Sequence, residues 1–294
     1  RDRLSTFVAV IGSGHLSDRL GAARSVAVFG CLLAVASLGF ALTPGVGPGL
    51  LFFGLTLGLG WGVFYTLGPI IVAMLVEPAQ RARYFALLSG SMMTGIGSGP
   101  LLGRLASALG YPLTSAFLIA AGASLLGVLI FWRLGGRLRQ QANHLGTAAA
   151  SITWAGTAQV LSSRAVWPIL MVGLGGCVFG GLSSFQTSYG PSRGVDYSLF
   201  FLGFMSAAIA SRLLIAGIVV KRDPYRAACL LSGLMLVSIL LFLFAVDSSA
   251  SYLLAAVTLG VGYGLTYSVI NGLAANEAPA GCTSQALLLF SLSY

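Results

Sequence analysis

The chain has 294 residues, of which 57% are hydrophobic and only 8% charged, with a formal net charge of +9 and 40 glycines. A soluble domain carries about 25% charged residues, so a water-soluble globule is excluded, and the same apolar excess excludes intrinsic disorder. An all-α polytopic membrane protein remains, and the glycine content suits closely packed membrane helices.

A spanning helix needs about 20 mostly apolar residues. In chain order, complete spans are predicted at Ser25–Leu42, Gly49–Met74, Tyr84–Ala108, Pro112–Trp132, Val166–Thr187, Tyr197–Val219, Ala227–Val246 and Tyr252–Ala275, eight in all. Two partial runs flank them. Leu4–Ser13 is apolar but too short to cross and follows Arg1-Asp2-Arg3, and Gln285–Tyr294 begins an apolar run. A half-span would leave backbone polar groups in lipid, so the expectation is an internal fragment of a longer protein.

The basic residues fall in alternate loops. Arg19, Arg24, Arg81, Arg83, Arg133, Arg137, Arg139, Arg164, Lys221, Arg222 and Arg226 lie on one side, and the opposite loops carry Arg193. The positive-inside rule puts the first set in the cytoplasm. Their scatter between apolar runs reads as membrane orientation, with no nucleic-acid partner. Leu145–Ser163 is moderately apolar, but counting it as a span would invert every later loop. Arg133–Arg164 is therefore read as a central cytoplasmic linker, with room in it for a helix lying on the membrane surface. The domain organisation is therefore 1–132 as an N-terminal helical bundle, 133–165 as a central cytoplasmic linker and 166–294 as a C-terminal helical bundle. The four cysteines are dispersed and His15 and His144 lie in loops, so neither a metal site nor a cofactor is expected.

The halves repeat. Gly14-x-x-x-Asp18-Arg19-x-Gly21-x-x-Arg24 returns as Gly217-x-x-x-Lys221-Arg222-x-Pro224-x-Arg226. Gly60-x-Gly62-Val63-Phe64-Tyr65 returns as Gly262-x-Gly264-Leu265-Thr266-Tyr267, 202 residues later. Duplicated helical units are a mark of transporters, whose halves rock about a site between them.

The loop Gly14-His15-Leu16-Ser17-Asp18-Arg19-Leu20-Gly21-Ala22-Ala23-Arg24 resembles the loop between helices two and three of the major facilitator superfamily. The resemblance implies a two-bundle fold with a 6+6 pseudo-repeat, running here from late helix two to early helix eleven of twelve. It also implies that Gly14, Asp18, Arg19, Gly21 and Arg24 form an intracellular latch. The carboxylate of Asp18 suits that role, because it can accept hydrogen bonds from a helix N-terminus or pair with an Arg. Lys221 replaces the acidic residue in the second copy. Gly95, Gly99, Pro100 and Gly103 resemble the helix-five glycine motif of the family's antiporters, although Arg104 stands where a further glycine is usual. Glycines every four residues line one helix face and let another backbone approach. The buried Arg that the family's exporters often carry in helix four has no counterpart in Gly54–Gly58, and helix one, the usual place of a coupling carboxylate, is not within the sequence.

The candidate cavity residues are Tyr65, Gln186, Arg212, Tyr267 and Asn271. Ionisable groups inside a span are costly and mark function. Arg212 either faces a cavity, pairing with an anionic or acidic group, or snorkels to the cytoplasm. The expected function is secondary transport by alternating access, a drug or metabolite exported in exchange for protons across a bacterial inner membrane. Its partners are a small-molecule substrate, protons and the lipid bilayer, and the transport unit is a monomer. The alternatives are uptake of a sugar or organic anion, or a non-transporting sensor on the same fold. No P-loop and no catalytic constellation is present, so an enzyme is not expected.

Overall fold

The structure is a computed structural model that describes residues 12, 17, 19–43, 47–112, 114–144, 153–215 and 223–294. Every regular element among them is helical. They are α1 (Ala22–Leu42), α2 (Pro48–Leu75), a 3₁₀ turn (Pro78–Gln80), α3 (Arg81–Ala108), α4 (Thr114–His144), α5 (Trp154–Leu161), α6 (Val166–Ser192), α7 (Ser198–Ala210) continued by a π turn (Ser211–Ile215), α8 (Pro224–Phe244), α9 (Ser249–Asn276) and α10 (Thr283–Ser293).

Seven of these helices are long and apolar enough to cross a membrane. The predicted span Tyr84–Ala108 falls on α3, which has the length of 28 residues but not that apolarity, because Gly, Ser and Thr dilute it. Its hydroxyls are accommodated within the helix. Ser91 Oγ donates to Leu87 O at 2.9 Å and Thr94 Oγ1 to Gly90 O at 2.8 Å, which removes their demand for water. Two further expectations shift. Pro112–Trp132 extends as helix to His144, into the expected linker. Tyr197–Val219 is α-helical to Ala210 and then widens into the π turn, a change of hydrogen-bond register that apolar composition does not encode.

The helix ends follow local chemistry. Gly21 opens α1 at φ 85°, a left-handed conformation that a side chain would strain. Pro48 and Pro224 sit at first helical positions, where the missing N–H costs nothing. Asp223 caps α8 by accepting from Tyr225 N at 2.9 Å. Ser248 and Ser251 form a reciprocal capping box at α9. Ser251 Oγ also donates to Asp247 Oδ1 at 2.9 Å, and this bond, followed by that of Ser248, lowers the pKa of Asp247. A depressed carboxylate contributes stability above its ordinary value of 3.8, and that contribution is lost as pH falls through the lower folded value. Ser251→Ala is therefore expected to raise the Asp247 pKa toward 3.8, read by carboxyl NMR titration of the full chain.

Packing divides the chain into two units. The first is drawn from Arg1–Val76, Ser98–Arg164 and Ala278–Leu292, and the second from Glu77–Gly97, Ala165–Glu277 and Ser293–Tyr294. Each unit thus draws on both sides of the expected linker, and the first half of α3 packs with helices from the later half of the sequence.

In the first unit α1 is central, packing on α2 and α4. Phe40 joins all three, with ring centroids 6.2 Å from Phe53 and 5.8 Å from Phe117. The other face of α4 presents Leu118, Leu125, Leu129 and Trp132 outward, the reverse of a soluble protein and suited to lipid. In the second unit α9 is central, and every residue from Gly262 to Ala275 is buried, so this stretch of the helix is enclosed on all sides. The repeat is visible in the packing. A Cβ at Gly60 would meet Phe29 O and Leu33, and one at Gly262 would meet Leu231 O and Met235. All three pairs share the 202-residue offset.

The tightest backbone approach is at Gly260, where a Cβ would lie 2.8 Å from Ala207 Cβ and within contact of Phe204 O. Since the obstacle is backbone, Gly260→Ala is expected to destabilise the protein by about 1–3 kcal/mol. Gly127→Ala on α4 meets nothing within 4 Å and should be neutral or stabilising by about 0.5–1 kcal/mol. Thermal melts in detergent check both.

Candidate functional site: a buried arginine shared by three helices

The first half of α3, the end of α7 and the middle of α9 meet within the second unit. Small residues make the approach possible. A Cβ at Gly90 would lie 3.2 Å from Arg212 Cβ, one at Gly264 3.0 Å from Ala208 Cα, and one at Gly272 2.9 Å from Ala82 Cβ. Arg212 sits in the π turn that ends α7, and its exposure is 2%. Single-turn π segments often occur at functional positions.

The guanidinium is held by backbone. Nε donates to Gly264 O of α9 at 2.7 Å, and Nη1 to Ser89 O of α3 at 3.4 Å. Its carbon lies 5.6 Å from the centre of the Tyr267 ring, within range of a cation–π attraction. Ser89 and Ser268 add a hydroxyl pair, their Oγ atoms 3.3 Å apart. Arg212 is thus buried and turned inward, and the snorkelling alternative does not describe it.

A second group of polar contacts lies at the ends of α3 and α9. Arg81 Nη1 donates to Asn276 Oδ1 at 3.0 Å and to Ala275 O at 3.4 Å, while Asn276 Nδ2 donates to Pro78 O at 3.1 Å. Partial burial lowers the pKa of Arg81. Tyr225 donates to Glu277 Oε1 at 2.6 Å beside them.

Of the residues singled out from sequence, the structure brings Arg212 and Tyr267 together, and Asn271 follows one turn on along α9. Asn271 is 2% exposed, and its Oδ1 has no hydrogen-bond partner among the described residues. Gln186 is buried elsewhere in the same unit, where it accepts from Tyr252 Oη at 2.5 Å. Tyr65 is half-buried in the first unit and stacks on Trp61 at 6.3 Å. Arg19 and Arg24 are exposed, Gly21 makes the left-handed turn, and Gly14, Asp18 and the second-copy Lys221 lie outside the described residues. The side chains of Pro100 and Arg104 also lie outside them. A Cβ at Gly95 or Gly99 meets nothing within 4 Å, and Gly103 is half-buried. On the same helix a Cβ at Gly90 would lie 3.2 Å from Arg212 Cβ, and one at Gly97 would be in ordinary contact with Ile209 at 3.7 Å. Both faces carry glycine at helical spacing, so spacing alone did not distinguish them.

Sequence reasoning missed Ser89, Ser268, Arg81 and Asn276. The signal available was Glu77-Pro78 and Glu277-Ala278-Pro279, acidic and proline residues that follow the two 28-residue helices α2 and α9. Tyr267 also borders an apolar cleft of about 250 Å³ between α6 and α8, with Met171, Met235, Tyr263, Thr266 and Ile270. That cleft contains no charged group.

Chemically, this is a fixed cation on breakable contacts. Arg does not deprotonate in proteins, and among the described residues no Asp or Glu lies inside a helix. The site can hold helices together, release them or attract an anion, but it cannot itself carry a proton. Among the described residues no His, Cys, Asp and Glu cluster could hold a metal ion.

A family model described as Major Facilitator Superfamily matches residues 4–294. No curated protein matches the chain. Among solved structures, the proton:xylose symporter XylE bound to 6-bromo-6-deoxy-D-glucose is similar with a TM-score of 0.76 at 13% identity, over 99% of this chain and 74% of that one. The human organic anion transporter MFSD10 gives 0.75 at 16% identity, over 99% and 73%. FucP in the outward conformation gives 0.69 at 14% identity, over 99% and 78%. At these identities the likeness is one of fold.

Proposed function

The chain belongs to the Major Facilitator Superfamily, and from that premise we propose that it is a secondary transporter that moves a small organic solute by alternating access. It is a multi-pass membrane protein with a transporter fold. The observation that carries the reading is the contact of Ser89, Arg212 and Gly264. Membrane helices associate through small-residue faces and interhelical hydrogen bonds, and packed junctions of this kind are where a bundle can switch between discrete arrangements. The finer reading is export of a drug or metabolite in exchange for protons, across a bacterial inner membrane, by a monomer. Its support is the Gly95, Gly99, Pro100 and Gly103 pattern of α3. The domain halves 1–132 and 166–294 would be the rocking bodies and 133–165 their linker, with Asp18 and its neighbours as the latch.

A second reading has its own support. A cation buried to 2% exposure suits a substrate that brings a negative charge, and one solved structure of the same fold is that of an organic anion transporter. Uptake of an anion or sugar with protons is therefore the alternative. Proteoliposomes holding the full-length protein separate the two. Under an imposed pH gradient, export by exchange moves a labelled solute against the inward proton flow, and symport moves it with that flow. Transport of no member of a panel of organic cations, organic anions and hexoses would contradict both.

A further inference from the structure

The apolar cleft between α6 and α8 contains a polar atom that the fold leaves unserved. Thr266 lines the cleft and is 7% exposed, and its Oγ1 has no hydrogen-bond partner among the described residues. Threonines in other long helices bond within their own helix. Thr56, Thr66, Thr94 and Thr258 each donate to the carbonyl oxygen four residues earlier, at 2.7 to 2.8 Å. A buried hydroxyl without a partner is costly, and such groups are few in native proteins. Thr266 Oγ1 is therefore a polar group held ready for something other than its own helix.

The walls around it are set in place. Tyr263 Oη donates to Tyr294 Oη at 2.7 Å, and the Tyr263 ring stacks on Phe179 with centroids 5.0 Å apart. Met171 and Met235 add thioethers to the lining, and sulfur makes favourable contacts with aromatic rings. Leu174 and Leu236 border the cleft and are exposed. Both stand on helices long and apolar enough to cross a membrane, so the opening faces lipid. The cleft is also separate from the arginine junction. Thr266 and Ile270 share one side of α9, whereas Gly264 and Ser268, which meet Arg212 and Ser89, share the other.

The chemistry of the occupant follows. A volume of about 250 Å³ is smaller than most drug-sized pockets and suits a molecule built on a single ring. The lining offers no charge, so an ionised ligand would lose its hydration without compensation. We infer that this cleft is a binding site for a neutral aromatic compound with one hydrogen-bonding group, a small phenol in the simplest case. It enters from the bilayer, sets its ring against Tyr263, Met171 and Met235, and places its polar group on Thr266 Oγ1. This goes beyond the transport reading, and it stands whichever solute is carried, because it concerns binding alone.

The test uses the full-length protein in phosphatidylcholine vesicles. A diazirine-bearing phenol is photolysed and the labelled peptides are identified by mass spectrometry. Labels are expected on the cleft-lining stretches of α6, α8 and α9. Unlabelled para-tert-butylphenol should suppress them at least about threefold more effectively than tert-butylbenzene at equal bilayer concentration, since the arene cannot meet the hydroxyl. In Thr266→Val, which keeps the shape and removes the hydroxyl, the two competitors should become equal. The same variant should melt no lower than the native protein, because no internal hydrogen bond is lost. If it does not fold, the comparison of phenol with arene on the native protein decides alone. Equal suppression by both compounds on the native protein would overturn the inference, as would labels spread evenly over the outward face of α4. Absence of label from α6, α8 and α9, the result expected if another protein segment fills the cleft, would overturn it as well.

Discussion

Arg212→Ala is expected to lower the transport rate by at least about 100-fold, equivalent to about 3 kcal/mol. The arginine donates to Gly264 O and Ser89 O, and hydrogen bonds from a charged donor contribute about 1.5–3 kcal/mol each. Removing it leaves two carbonyls on α9 and α3 without that partner in a buried setting, and it removes the cation beside Tyr267. Arg212→Lys keeps the charge but not the planar fork that reaches two carbonyls in different directions, so an intermediate loss of about tenfold is expected. Initial rates in proteoliposomes give the comparison, with elution profile and helical content showing that the variants are folded. A folded Arg212→Ala protein transporting at the native rate would remove Arg212 from the mechanism.

Joining α3 to α9 covalently is expected to stop transport altogether. Ser89 and Ser268 place their hydroxyls 3.3 Å apart, and both side chains are small and buried, so cysteines at the two positions are within reach of a disulfide. In a background where Cys31, Cys177, Cys229 and Cys282 are replaced, oxidised Ser89→Cys/Ser268→Cys protein should transport at a few per cent of the reduced rate or less. Reductant should restore it. Each single cysteine variant should be indifferent to oxidation. Full activity of a quantitatively cross-linked protein would mean that this junction is permanent structure and that the moving parts lie elsewhere.

How much of this was legible in the sequence depends on which link is considered. The long apolar runs are read directly because lipid demands length and apolarity together, and α1, α2, α6, α8 and α9 lie close to their expected limits. The repeat was legible at Gly60 and Gly262 because a side chain at either would strike the neighbouring backbone, so composition there is forced. The site was legible only in part. Arg212 and Tyr267 stood out as polar groups in apolar runs. Their partners Ser89 O and Gly264 O are backbone atoms, which no residue pattern encodes. Gln186 pairs with Tyr252 across 66 residues, a relation that a single sequence cannot carry. The first half of α3 was assigned by sequence order to the early helices, yet its Gly90–Gly97 face packs against α7, because glycine permits approach without specifying to what.

The central claim is that a buried surface of this protein changes access during its cycle. Tyr267 is 8% exposed and lies beside Arg212, so a cysteine there reports whether the junction opens. Labelling of Tyr267→Cys by a membrane-impermeant thiol reagent, applied from either side of oriented vesicles, is the direct measurement. Alternating access predicts reaction from one side at a time, with the reactive side switching when substrate or the pH gradient is imposed. A cysteine that stays unreactive from both sides in an actively transporting protein, or reacts from both at once, would contradict it.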